Sequence, residues 1–344
     1  MDFSALPPEL ALHVARHMDM TTTFNFMLTN KTNHHLIRSY EHSICKAKTA
    51  YSSAVASGGK ILSSSHVYRD VLLPNTFPWV KEHELREQRI TEIIKSGYIE
   101  ISSPPGLKPL TVMQQERFID LLGRSLRHCD AIADIAANVP HALPEYDYTL
   151  VSSGFWTHST HMTPEQRNRN PFSNIPARKA QIKYLKSLPV EELAALYVTI
   201  TAAATGHVDD RPDIQGDPSF AERVTVFEEC ILRHGTWFFW AQVSQGAKRR
   251  RPSHDDMAAD DNNSTQRATG TNNKRRNLTL REMTGYMMIA GFQELIDWET
   301  GAADIPKGLR MSLLDAAETR FDDDRPAVYY LYKSAREFVY GGKS

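Results

Sequence analysis

Three short runs of apolar residues at helical spacing open this chain, and none is long enough to fold alone. Leu10, Val14 and Met18 fall at four-residue steps. After Asp19-Met20-Thr21-Thr22-Thr23, the residues Phe24, Met27 and Leu28 repeat the i, i+3, i+4 pattern, and Leu36-Ile37 follow a polar break. Each run predicts a brief helix with one apolar stripe, and such stripes must pack on one another or on a partner. Pro7-Pro8 suits the entry to the first helix, because proline is favoured in a first turn, where its missing N–H costs nothing. The arrangement points to docking rather than to bond chemistry.

Over about residues 4–45 this pattern resembles an F-box. Leu6, Pro7, Glu9, Leu10, Val14, Met18, Asp19, Phe24, Phe26, Leu28 and Leu36 stand in register with the family's Leu-Pro-x-Glu opening, its Asp-containing turn and its apolar helical positions. Thr29 stands where the family usually has valine, and Asn33 where it often has an aromatic residue; both departures weaken the third helix. The resemblance implies binding to the Skp-type adaptor of a cullin-RING ubiquitin ligase, with the rest of the chain selecting a protein substrate. It implies an interface and supporting core made of Leu6, Pro7, Pro8, Leu10, Val14, Met18 and Phe24, with Glu9 at the rim. The plainer alternative is an all-α interaction protein unconnected to ubiquitin, whose first helices pack on its own body.

Helical signals continue downstream, so the expected fold is all-α, a three-helix F-box-like module followed by an irregular helical domain with long loops. Residues 81–96 carry Leu85, Ile90, Ile93 and Ile94 among charges, with Gly97 as a stop. Tyr98-Ile99-Glu100-Ile101 is expected as a short extended piece before the Pro104-Pro105-Gly106 turn. Thr111-Val112-Met113-Gln114 fits a capping box ahead of a helix with Phe118, Leu121, Leu122, Leu126 and Ile132 on its apolar side. The aromatic run Trp237-Phe238-Phe239-Trp240 after Gly235 predicts a central buried helix. Thr279-Leu280-Arg281-Glu282 is expected to open a helix reaching Trp298, and Pro326 to stand early in a last helix with Val328, Leu331, Tyr332 and Ala335 inside. Residues 143–177, rich in Pro, Asn, Ser and His, read as a long loop, and residues 244–277 as a disordered charged insert that lacks apolar residues to offset ordering entropy. The expected organisation is therefore 1–45 module, 46–243 helical domain, 244–277 insert and 278–344 completion of that domain.

A net charge of −1 sets up no global field that would steer the chain to nucleic acid or membrane, and neither is expected as a partner. Cys45, Cys129 and Cys230 form neither a disulfide framework nor a zinc spacing, which suits a reducing intracellular compartment. The start carries Asp2 and prolines instead of a basic and apolar leader. The basic clusters at residues 248–251 and 274–276 have the composition of a nuclear import signal, and Arg250-Arg251-Pro252-Ser253 that of a basophilic kinase site.

The sharpest enzymatic alternative is Asp209-Asp210-Arg211-Pro212-Asp213, which has the Asp-Asp-x-x-Asp spacing that holds magnesium and diphosphate in all-α terpenoid synthases. Asp297-Trp298-Glu299 is a loose echo of the second metal motif. That motif belongs on a helix, whereas Pro212 and the preceding Gly206-His207 predict a loop. His13 and His17 stand four apart near Glu9, but Val14 occupies the position where a His-Glu-x-x-His zinc site has its glutamate, and His158 and His161 lack partner ligands. No phosphate loop, nucleophile elbow or kinase signature appears, so no catalytic residue, metal or cofactor is expected.

Overall fold

In the computed structural model the described residues are 7–50, 59–64, 71–139, 175–209, 220–249, 287–288, 308–321 and 324–341. Their architecture is all-helical. Four short helices come first, α1 (Pro8–His17), α2 (Met20–Thr29), α3 (Lys31–Ser39) and α4 (Glu41–Ala50). A two-residue antiparallel hairpin, β1 (Ile61–Leu62) and β2 (Val71–Leu72), leads to α5 (Phe77–Lys95) and α6 (Val112–Asn138). The body is completed by α7 (Ile175–Ser187), α8 (Val190–Asp209), α9 (Phe220–His234), α10 (Thr236–Arg249), α11 (Leu309–Glu318) and α12 (Ala327–Tyr340). Among the described residues no helix is long and apolar enough to cross a membrane.

The capping signals act as their chemistry dictates. Asp19 accepts from the Thr22 amide at 2.7 Å and starts α2, and Asn30 accepts from the Asn33 amide at 2.7 Å and starts α3. In the box at α6, the Gln114 side chain accepts from the Thr111 amide at 2.9 Å. Phe118, Leu121, Leu122, Leu126 and Ile132 are all buried on one side of α6. Leu331 and Ala335 are buried along α12, with Val328 and Tyr332 packed at the edge of the core.

At the centre lies α8, against α6, α9 and α12. Residues 193–200 are buried without interruption, so this helix is apolar all round, as a core helix must be. Trp237, Phe238 and Phe239 join the same core from α10, while Trp240 reaches the surface and donates its indole N–H to Glu92 at 2.7 Å. Gly235 turns α9 into α10 with φ 72°, and a side chain there would meet the Asp130 carboxylate at 2.4 Å.

Several expectations need correction. Residues 98–101 form no strand; they fold into bends, with Tyr98 and Ile99 buried, because the segment packs on α8 instead of on another strand. Gly206 and His207 do not break the chain but lie within α8, where the missing side chain lets the Tyr98 carbonyl approach to 2.1 Å from where a Cβ would sit. The helix predicted at 81–96 begins earlier, at Phe77, with Pro78 in its first turn. Residues 244–249 continue α10. The remainder of the insert, nearly all of the 143–177 loop and the 279–298 helix apart from Met287 and Met288 lie outside the described residues.

The N-terminal cluster does not close at residue 45. Ala11, Ala15, Met20, Phe26, Met27, Ile37, Ile44 and Cys45 are buried together with Ile61 and with Phe77, Trp79 and Val80 of α5. Each isoleucine, methionine, valine or phenylalanine side chain buried there contributes roughly 1.5–3 kcal/mol relative to exposure. The other end of α5 places Ile90 and Ile93 in the main core.

Candidate functional site

On α1 the apolar residues divide between two stripes. Ala11 and Ala15 are buried and face the N-terminal cluster. Pro7, Leu10 and Val14, spaced i, i+3, i+7, form the second stripe. Pro7 and Pro8 are exposed, Leu10 keeps 51% of its surface in solvent, and Val14 is half-buried, so this stripe has no complete cover among the described residues. Glu9 is exposed in the first turn, where a carboxylate complements the helix dipole. Leu6 lies outside the described residues.

Met18 and Phe24 occupy different surroundings. Met18 is half-buried and packs against the cluster. Phe24 meets Phe77 edge to face at 5.8 Å, with the Lys81 ammonium 5.6 Å from its ring. Both support the cluster beneath the stripe. Leu28, predicted to share the inner face of α2, is instead 80% exposed, because that face runs through Met20, Thr23, Phe26 and Met27. No spacing signal distinguishes it from an inward residue.

The two departures from the F-box pattern meet each other. Asn33 is buried and its side-chain amide donates to the Thr29 hydroxyl at 3.0 Å, while that hydroxyl donates to the Phe26 carbonyl at 2.7 Å. A polar pair therefore stands at the α2–α3 junction with its hydrogen bonds made, which a buried polar group requires.

Reciprocal caps lock this region to α5. Glu84 of α5 accepts from the Met20 amide at 3.0 Å and 3.1 Å through its two oxygens, at the start of α2. Glu41 of α4 accepts from the Phe77 amide at 2.7 Å, at the start of α5. Lys48 donates to the Met18 carbonyl between α1 and α2. Burial pushes the Glu84 carboxyl up and the Lys48 ammonium down, so both are held by hydrogen bonds at the expense of hydration.

Farther along α5 a buried ion cluster ties it to β1 and α6. Arg86 donates to Asp134 at 2.6 Å and 2.8 Å, to Glu82 at 3.2 Å and to the Leu62 carbonyl at 2.7 Å. Arg89 donates to Glu82 at 2.6 Å, and Asp130 accepts from the Thr236 amide at 2.8 Å. Three carboxylates thus face two guanidiniums. Burial raises the Asp130 pKa against the pull of Arg86 and Arg89, whereas at Glu82 the attraction of Arg89 and Arg86 overcomes burial and lowers it. The imbalance falls on Asp130. His83 beside this cluster is driven down to about 4, mainly by burial, and stays neutral.

A half-buried relay on α6–α8 has the makings of acid–base chemistry. Tyr184 lies 2.8 Å from His128 Nδ1, His128 Nε2 lies 3.2 Å from Glu192, and Arg124 donates to Glu192 at 2.5 Å. Burial lowers His128 and lifts Tyr184 to about 12, and the contacts join α6, α7 and α8 to one another.

His13 and His17 are exposed with ring centroids 4.9 Å apart, and among the described residues no three His, Cys, Asp or Glu side chains converge as a metal site. Asp209 ends α8, whereas the remaining four positions of its cluster, the Asp297 group and the His158/His161 pair lie outside the described residues. Cys45, Cys129 and Cys230 are buried and form no disulfide among the described residues. No protein-family model matches the chain, and neither does any curated protein or solved structure.

Proposed function

We propose that the chain is an F-box-like substrate-recognition adaptor, which docks on the Skp-type adaptor of a cullin-RING ubiquitin ligase through α1 and holds a protein substrate on its helical body. The observation that carries this reading is the half-exposed Leu10, which lies on a stripe separate from the Ala11/Ala15 stripe that the fold itself buries. A helix that served only its own core would have one such stripe. The N-terminal resemblance supplies the identity of the partner. In this reading the chain carries out no bond chemistry; tethering raises the effective concentration of a substrate near the charged ubiquitin.

The test is co-purification with the Skp-type adaptor. Leu10→Asp with Val14→Asp should abolish capture, since burying carboxylates in an apolar contact costs several kcal/mol, enough to remove a micromolar association. Asp209→Asn should leave capture unchanged. Undiminished capture by a double variant that keeps its helical circular dichroism would remove α1 as the interface.

A further inference from the structure

Helix α7 bears basic residues and no acidic one, and the fold fixes which way it faces. Arg178 is buried in an ion pair with Glu229, Gln181 donates to the Ile132 carbonyl at 3.0 Å, and Ala177 and Leu185 are buried. Lys179, Lys183 and Lys186 therefore share the outer face and are exposed. Arg320 extends the row: it is exposed and donates to the Lys186 carbonyl at 2.9 Å. Glu191 and Glu318 lie in flanking turns, yet among the described residues none of these four cations forms an ion pair with a carboxylate.

A face that only needs solvation mixes signs, because like charges three or four residues apart on a helix destabilise it. Here no carboxylate among the described residues pairs with these lysines to offset that repulsion. A bound anion would relieve it. Along the helix axis the step from Lys179 to Lys183 is about 6 Å, close to the roughly 6.6 Å between alternate residues of an extended chain, and the step from Lys183 to Lys186 is shorter, about 4.5 Å, a difference that long lysine side chains can span. We propose that this ridge binds an extended acidic segment of a protein partner, with carboxylate or phosphate oxygens at alternate positions facing the lysines. Calling that partner the ubiquitination substrate rests on the adaptor reading above; the binding itself does not.

The experiment uses the full chain and a fluorescent peptide of alternating glutamate and serine, followed by anisotropy. Binding should be saturable and weaken as salt is raised, because exposed charges are screened. In the variant Lys179→Glu, Lys183→Glu, Lys186→Glu affinity should fall about tenfold or more, the effect of three surface ion pairs of ordinary strength. If charge reversal disturbs folding, the corresponding glutamine variant, which keeps helix propensity, should show the same loss. A phosphoserine version of the peptide separates phosphate from carboxylate as the source, and ridge-dependent binding of either supports the proposal. Absence of peptide binding, or binding unchanged in folded variants, overturns it. So does tighter ridge-dependent binding of single-stranded RNA or anionic vesicles. Capture of the Skp-type adaptor, measured on the same proteins, separates the two ideas: lysine variants should retain it, and a chain that binds peptide but never adaptor keeps the ridge while losing the ligase.

Discussion

Arg86 is the residue on which the most buried charge depends. Its guanidinium engages Asp134, Glu82 and the Leu62 carbonyl, so Arg86→Ala would leave two buried carboxylates short of a partner. Removing one partner from such a cluster costs about 3–5 kcal/mol, far more than the net worth of the intact pair. Denaturant unfolding of the variant should show a loss of that order. Glu82 gives the pH dependence. Its folded pKa lies below the ordinary value of 4.5, so its contribution is fully present above that value and is lost as pH falls through the lower folded value. The destabilisation caused by Glu82→Gln at neutral pH should therefore shrink on acidification below 4.5. Asp130 has the opposite sign: its raised pKa favours the folded state in acid and the gain disappears as pH rises through the folded value. Gly206→Ala tests packing at one atom. The added methyl would sit 2.1 Å from the Tyr98 carbonyl oxygen, and overpacking costs typically 1–3 kcal/mol, which outweighs the roughly 1 kcal/mol that alanine gains in helix propensity.

At the level of elements, α5 is shared between two cores. Phe77, Trp79 and Val80 complete the N-terminal cluster, while Ile90 and Ile93 belong to the body. A fragment of residues 1–50 lacks those aromatic side chains and the Glu84 cap on α2, so it should show little stable helix by circular dichroism. A fragment of residues 1–95 restores both and should gain helix beyond the added length of α5. Were the shorter fragment to melt cooperatively on its own, the shared-core account would fail. The Asp19 and Asn30 caps of α2 and α3 emerged only with the structure, whereas the start of α6 was legible from the Thr111 capping box, because a cap is made within one turn of chain. The outward orientation of Leu28 was not, since apolar spacing identifies a helix but does not say which neighbour covers each side.

For the whole molecule, the ion cluster and α5 bind the first four helices to the body without an intervening linker among the contacts described. Thermal unfolding followed at far-ultraviolet wavelengths and by tryptophan fluorescence should therefore give coincident transitions, with Trp79 reporting one cluster and Trp237 the other. Sequence by itself determined the helical class, the buried faces of α6 and α10, and the terminal stripe containing Leu10, because apolar periodicity and capping act over one or two turns. Only the tertiary structure decided that Gly206 serves packing, that Asn33 pairs with Thr29, that Glu84 of α5 caps α2 while Glu41 of α4 caps α5, and that Lys179, Lys183 and Lys186 share an open face. Those outcomes depend on which distant segment arrives beside each residue, and the spacing within a segment carries no record of its neighbour.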